Sequence, residues 1–378
     1  MTQSAARLAT SYKLGLMRNL HRPRVRIGYL ISLTVCVAAA TGCEVDYYAH
    51  LVFGQIESAA RLQPINDAIG DPSLTQTERD RLVLVKNVRR FGIDVIGLAE
   101  TDAYTVFDPN GTTPAAYVIT ASAKDRLAAY EWSFPFVGNA PYKGYFDLEM
   151  ARTEARRLQD LDYDVQLGAA GGFSTLGILP DPVRQSNLAQ DEIELAELIL
   201  HEMLHSTIYK PGDADFNESL ATFVGRAAAQ RYFDTQFGEN SAEAVAAALR
   251  FADKSVIDGF VVSLYDDAKA YYDAAATRND DRATIIAGRE EVFAASSAQY
   301  ATEFEPRLND PTRWEGLRTL TVNNATILSG VRYQSGLGIF ADALAAAGGD
   351  FPTAIRVFSD AAGVPDSRNY IQNWIADR

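Results

Sequence analysis

Apolar residues recur at three- and four-residue intervals through most of this 378-residue chain, a spacing that predicts helices. Tyr47, Tyr48, Leu51, Ile56, Ala59 and Leu62 trace a first one. Thr75 and Glu78 stand at capping-box spacing ahead of Leu82, Leu84, Val85, Val88 and Phe91, which predicts a second helix with a defined start. From Ala116 the period shortens. Residues 117–120, 133–137 and 163–167 predict short strands set off by glycine and proline, with a helix over 150–160 between the last two. Residues 191–209 are predicted helical, with Ile193, Ala196, Leu200, Met203, Leu204 and Ile208 on the apolar faces. Pro211-Gly212 marks a short loop, and another helix opens near Asn217. Beyond residue 240 the chain reads as largely helical, including 242–251 and 341–347. No repeat or low-complexity tract interrupts it. The predicted fold class is α+β and predominantly helical, with a small sheet ahead of the helix at 191–209, in one domain spanning 44–378.

The leading 43 residues have a different texture. Residues 27–40 form a 14-residue apolar run behind Arg22, Arg24 and Arg26. The run falls short of the roughly 20 residues a bilayer-spanning helix needs, but it suits the core of an export signal. It ends in Ala40-Thr41-Gly42-Cys43, small residues directly before a cysteine. This ending resembles the lipobox of bacterial lipoproteins, although Leu is more usual where Ala40 stands. The resemblance implies that the leader is removed and that Cys43 carries a lipid, tethering an exported protein to a membrane of the cell envelope. Glu44, where Asp would retain a lipoprotein in the inner membrane of many bacteria, implies an outer-membrane address facing the periplasm. A secretory signal cut nearby is the simpler alternative.

Charge and cysteine content narrow the chemistry. The net charge is −14 overall and −20 from Glu44 onward, because residues 1–43 hold six basic residues and no acid. So acidic a body repels phosphate backbones and anionic head groups, which argues against a nucleic-acid partner. The two cysteines are Cys36 and Cys43, so residues 44–378 have none for a disulfide, a thiol nucleophile or a zinc ribbon.

His201-Glu202-Met203-Leu204-His205 is the strongest local signal. Residues four apart share a helical face, so both imidazoles can grip one ion, and Glu202 can reach a water on that ion as its base. Two buried or capping histidines on a helix are the plain alternative. A catalytic zinc centre needs a third protein ligand and one free position. Ile208 and Pro211 stand where a third histidine at metzincin spacing would bring Gly and His, and His50 is far off in sequence. A carboxylate is the natural choice among Asp213, Asp215 and Glu218. Glu218, in Asn217-Glu218-Ser219-Leu220-Ala221, would face inward from the start of the next helix, while Asp213 and Asp215 read as loop and cap residues.

Asn-Glu with Ala two residues on, downstream of His-Glu-x-x-His, resembles the gluzincin metallopeptidases. More narrowly, the run from His201 to Tyr209, Pro211-Gly212-Asp213, Phe216-Asn217-Glu218-Ser219 and Ala221-Thr222-Phe223-Val224 resembles a bacterial aminopeptidase family. The likeness extends to Gly54-Gln55, Phe134-Pro135, Tyr142-Lys143-Gly144-Tyr145-Phe146 and Ser174-Thr175-Leu176-Gly177, covering most of residues 44–360. It departs at Met203-Leu204, where Leu-Ala is common. The resemblance implies Zn2+ on His201, His205 and Glu218, with Glu202 as the catalytic carboxylate and a peptide as substrate.

A tetrahedral oxyanion needs a donor besides the ion, and with histidines so scarce a tyrosine or arginine must serve. Tyr333, near Asn323 and Asn324, is the candidate. The strand-like stretch 172–178 could receive substrate backbone, or be a plain sheet edge. Glu197, one turn before His201, and Asp213 or Asp215 could support the imidazoles. Gly172-Phe173-Ser174-Thr175-Leu176 lacks the second glycine of a nucleophile elbow, and Gly168-Ala169-Ala170-Gly171-Gly172 fits neither nucleotide fingerprint. The alternatives to an aminopeptidase are an envelope endopeptidase, a non-catalytic lipoprotein whose ion staples helices together, and a peptide-binding assembly factor. The oligomeric state is not legible.

Overall fold

A computed structural model describes residues 62–134, 138–172 and 180–378. The leader with Cys43, His50, all but Leu62 of the first predicted helix, and residues 173–179 lie outside the described residues. Leu62–Arg378 form one unit by contact.

β1 (Gln63–Pro64) and α1 (Ile65–Ile69) lead into α2 (Gln76–Phe91). The capping box is present: Thr75 Oγ1 accepts from the Glu78 amide, and the Glu78 carboxylate accepts from the Thr75 amide at 2.7 Å. α2 runs into a π-helical turn, Gly92–Ile96. The strands follow as β2 (Val106–Asp108), β3 (Ala116–Ala123), β4 (Trp132–Phe134), β5 (Gly138–Ala140) and β6 (Lys143–Tyr145). α3 (Leu148–Asp160), β7 (Tyr163–Ala170) and β8 (Val183–Arg184) complete this half. β6, β3 and β7 make an antiparallel sheet in that order, with β3 and β7 paired from Ala116↔Ala170 to Ala123↔Tyr163. β1-β2-β8 and β4-β5 are smaller sheets.

From Glu192 the chain is helical: α4 (Glu192–His205), α5 (Ala214–Phe237), α6 (Ala242–Arg278), α7 (Arg282–Gln299), α8 (Asn324–Gln334), α9 (Gly338–Ala346), α10 (Phe351–Ala362) and α11 (Ser367–Ala376). The class is α+β, predominantly helical, with the sheets ahead of α4 as the spacing predicts.

α4 buries Leu195, Ala196, Ile199, Leu200, Met203 and Leu204 along one stripe, and Glu192 is its one exposed residue, which makes it a central helix rather than a surface one. It packs on α2 and α5, and its core continues through Val85 and Val88 of α2, Leu220 and Val224 of α5, and Phe340 and Phe358 of α9 and α10. A second core gathers Ile257, Phe260 and Leu264 of α6 with Phe293, Tyr300, Phe304 and Ile327. α8 touches α5, α6, β3 and β7, so it joins the sheet to the helices. A buried polar knot fixes that junction. Arg289 pairs with Asp164 at 2.7 and 3.0 Å, Asp164 also accepts from the Asn324 amide, and Tyr272 donates to Asn324 Oδ1 at 2.9 Å.

Some boundaries differ from expectation. α4 stops at His205 rather than Tyr209, because the Thr207 and Ile208 amides both bond to the Leu204 carbonyl and turn the chain. α5 opens at Ala214, since Asp213 rather than a later residue caps it, accepting from the Phe216 amide at 3.1 Å. α6 runs 37 residues, taking in the predicted helical segment 242–251, with Ile257, Phe260, Leu264, Ala268 and Tyr272 carrying the helical spacing onward. The third predicted strand boundary also shifts, since β7 reaches Ala170; of the predicted strand 133–137, β4 covers Ser133 and Phe134, paired with β5, and 135–137 lie outside the described residues.

Candidate metal centre

α4 sets His201 and His205 one turn apart, with their Nε2 atoms 3.2 Å from each other and their rings edge to face at 81°. α5 brings Glu218 to them: its Oε2 lies 3.5 Å from His201 Nε2 and 3.4 Å from His205 Nε2. Such an approach requires the two helices to touch closely. Gly225 permits it, because a Cβ there would stand 3.1 Å from both the Glu197 carbonyl and His201 Cβ. The loop between the helices is equally constrained. Gly212 takes φ +77°, and Asn217 clasps Lys210 twice, accepting from its amide at 2.9 Å and donating to its carbonyl at 2.8 Å. From far along the chain, Lys210 Nζ donates to the Pro365 carbonyl and Ser367 Oγ, while Arg368 donates to Ser219 Oγ.

Nitrogen and carboxylate donors at these separations fit one divalent cation. A tetrahedral ion with bonds of roughly 2.0–2.2 Å requires donors roughly 3.3–3.5 Å apart. The two separations from Glu218, 3.4 and 3.5 Å, meet that requirement, and the imidazole nitrogens at 3.2 Å stand about 0.1 Å inside it. His201, His205 and Glu218 are also a group that could hold a metal ion on proximity alone. The electrostatics are consistent. Burial works against a charged Glu218, yet the two imidazoles outweigh it and hold its carboxyl well below the usual range. Burial opposes protonation of His205, but Glu218 outweighs it and raises the imidazole.

Glu202 behaves oppositely to Glu218. Burial pushes its carboxyl up, Glu218 adds to the rise, and the imidazoles oppose it. The backbone of Gly172 passes over this side chain so closely that a Cβ would meet Glu202 Cγ and Cδ at 2.7 Å. Tyrosines flank the triangle. Tyr333 on α8 lies near-parallel to the His201 ring, with centroids 6.4 Å apart and planes at 24°. Burial, then the charge of Glu218, lifts its hydroxyl well above the ordinary tyrosine range, so it stays protonated. Tyr142, just ahead of β6, donates to Glu218 Oε1 at 3.2 Å and is raised by the same two causes in the same order. Tyr209 is raised by burial and by Glu218 as well.

The sequence-predicted residues His201, Glu202, His205, Glu218 and Tyr333 are thus brought together. The proposed supporting acids are not. Glu197 turns to Arg226 at 3.2 Å and to Lys254; Asp213 caps α5; Asp215 lies 3.3 Å from Arg332 and is largely exposed. The stretch 172–178 falls outside the described residues apart from Gly172. Sequence reading left Tyr142, Gly172, Asn217 and Gly225 without roles. Tyr142 and Asn217 stand in quoted family-like blocks, a usable signal, whereas Gly172 and Gly225 had only their lack of a side chain to mark them.

Comparison with curated proteins finds no match, and none of the solved structures matches either. A model of the family described as "Putative aminopeptidase" matches residues 46–370, which takes in every residue of the site, and the chain belongs to that family.

Proposed function

We propose that this protein is a zinc-dependent aminopeptidase whose ion is held by His201, His205 and Glu218. The donor triangle of 3.2–3.5 Å beside the upward-shifted Glu202 carries the reading. When bound, the ion supplies Lewis acidity, which acidifies water and polarises a peptide carbonyl. Glu202 is the general base: a carboxyl pushed up by burial is better matched to taking a proton from water at neutral pH and returning it to the leaving amine. Tyr333 keeps its proton and donates to the oxyanion that develops on the attacked carbonyl. The exo mode is supported by the family description. The lipid on Cys43 is supported by the arginine-flanked apolar run and its small-residue ending, and the outer-membrane, periplasm-facing address by Glu44 standing where an inner-membrane lipoprotein would carry Asp.

Metal analysis of wild type and Glu218→Ala, beside a peptide-release assay with and without chelator, tests this. The expected result is about one zinc per chain, lost in Glu218→Ala, with hydrolysis abolished by chelator and restored by zinc. Hydrolysis indifferent to chelator sinks the metal chemistry. Release of single residues from unblocked but not acetylated peptides supports the exo mode, and cleavage of both points to an endopeptidase.

A further inference from the structure

The Glu218 carboxylate divides its two oxygens. Oε2 faces the imidazole pair at 3.4 and 3.5 Å, while Oε1 accepts from the Tyr142 hydroxyl at 3.2 Å. No other hydrogen bond from a described side chain reaches Oε1. Tyr142 packs against a buried cation: the Arg332 guanidinium lies 5.5 Å from its ring centroid, and Arg332 is only 3% exposed, with its Nε 3.3 Å from the Asp215 carboxylate. A carboxylate free to rotate can offer a metal either one oxygen or both. Engaging Oε1 elsewhere leaves one, and so keeps open the coordination position that a catalytic centre needs.

We propose that Tyr142 is the positioning residue for Glu218, confining it to a single-oxygen ligand, and that the two tyrosines beside the triangle divide their labour. Tyr142 serves the protein's own carboxylate, and Tyr333 is left for the substrate. The inference rests on the proposed metallopeptidase reading. It predicts that the two phenylalanine variants fail in different ways.

The test uses purified Tyr142→Phe and Tyr333→Phe, with zinc affinity measured by competition against a chromophoric chelator and no substrate present. Tyr142→Phe is expected to weaken zinc binding about 10–100-fold, the usual cost of losing a group that orients a ligand, while Tyr333→Phe stays within about twofold of wild type. With Co2+ as the probe, Tyr142→Phe should also change the visible spectrum, as a second carboxylate oxygen joins the ion, and Tyr333→Phe should not. Peptide hydrolysis at saturating zinc falls in both variants, in Tyr142→Phe because the second carboxylate oxygen takes the position a water needs, so zinc affinity and the Co2+ spectrum are what separate the two roles. Thermal melts of the metal-free proteins check folding. If Tyr142→Phe melts early, adding it to Glu218→Gln decides, since a residue acting through Glu218 weakens zinc no further once that carboxylate is gone. Zinc affinity and Co2+ spectrum unchanged in Tyr142→Phe, or an additive loss in the double variant, overturns the assignment. Wild type that binds no zinc overturns the metallopeptidase reading instead.

Discussion

The two halves of the site are built by opposite means. α4 and α5 are consecutive, joined by the loop 206–213, and they supply both imidazoles, Glu202 and Glu218 from a stretch where helical spacing does most of the placing. The facing wall has no such continuity. Tyr142 precedes Glu218 by 76 residues, Gly172 comes at the end of the sheet, and Tyr333 arrives on α8 after the whole of the second core. Local geometry makes the donor triangle, and long-range packing makes the wall beside it. A site divided in this way separates two kinds of damage, loss of the ion and loss of alignment around it.

That contrast can be broken most forcefully at Glu202. Glu202→Gln should reduce peptide hydrolysis about 10²–10⁴-fold while zinc content stays at the wild-type level. An active Glu202→Gln would move the chemistry away from the helix pair altogether. Gly172→Ala tests the wall. The new methyl overlaps Glu202 Cγ and Cδ, and a displacement of about 1 Å should cost about a hundredfold in kcat with zinc retained. If metal were lost instead, the wall would be part of the ligand shell. Gly225→Ala tests the opposite seam. A Cβ at 3.1 Å from the Glu197 carbonyl and His201 Cβ should cost about 1–3 kcal/mol in denaturant melts and weaken zinc, because His201 rides on the displaced helix. The smallest effect belongs to Thr75→Ala, which removes the α2 cap: about 1 kcal/mol of stability, with zinc affinity and hydrolysis unchanged.

This division also explains what could be read in advance. The His-Glu-x-x-His spacing, the Asn217-Glu218 position and the Thr75 cap are local facts: the imidazoles and the Glu218 carboxylate come together, and Thr75 caps α2, although the helix carrying Glu218 opens three residues before Asn217. Tyr333 was singled out by elimination among donors and by its family-like stretch near Asn323 and Asn324, and its ring does lie beside His201. Tyr142 was not found, because nothing local to the segment 142–146 records that it folds against the start of α5. Glu197 was misjudged for a related reason. Its position on α4 was legible, but its rotamer is set by Arg226 on α5 and Lys254 on α6, cations contributed by later helices. Gly172 and Gly225 act by being small next to something invisible in the sequence.

The clasp of Lys210 and Ser219 by Pro365, Ser367 and Arg368 reaches across about a hundred and fifty positions, from the α10–α11 turn back to the hinge of the donor helices. A nascent polypeptide therefore possesses His201, His205 and Glu218 long before it possesses the brace that steadies the loop between them. A chain cut ahead of Pro365 would keep all three of those side chains and lose every one of these contacts to the loop and the start of α5.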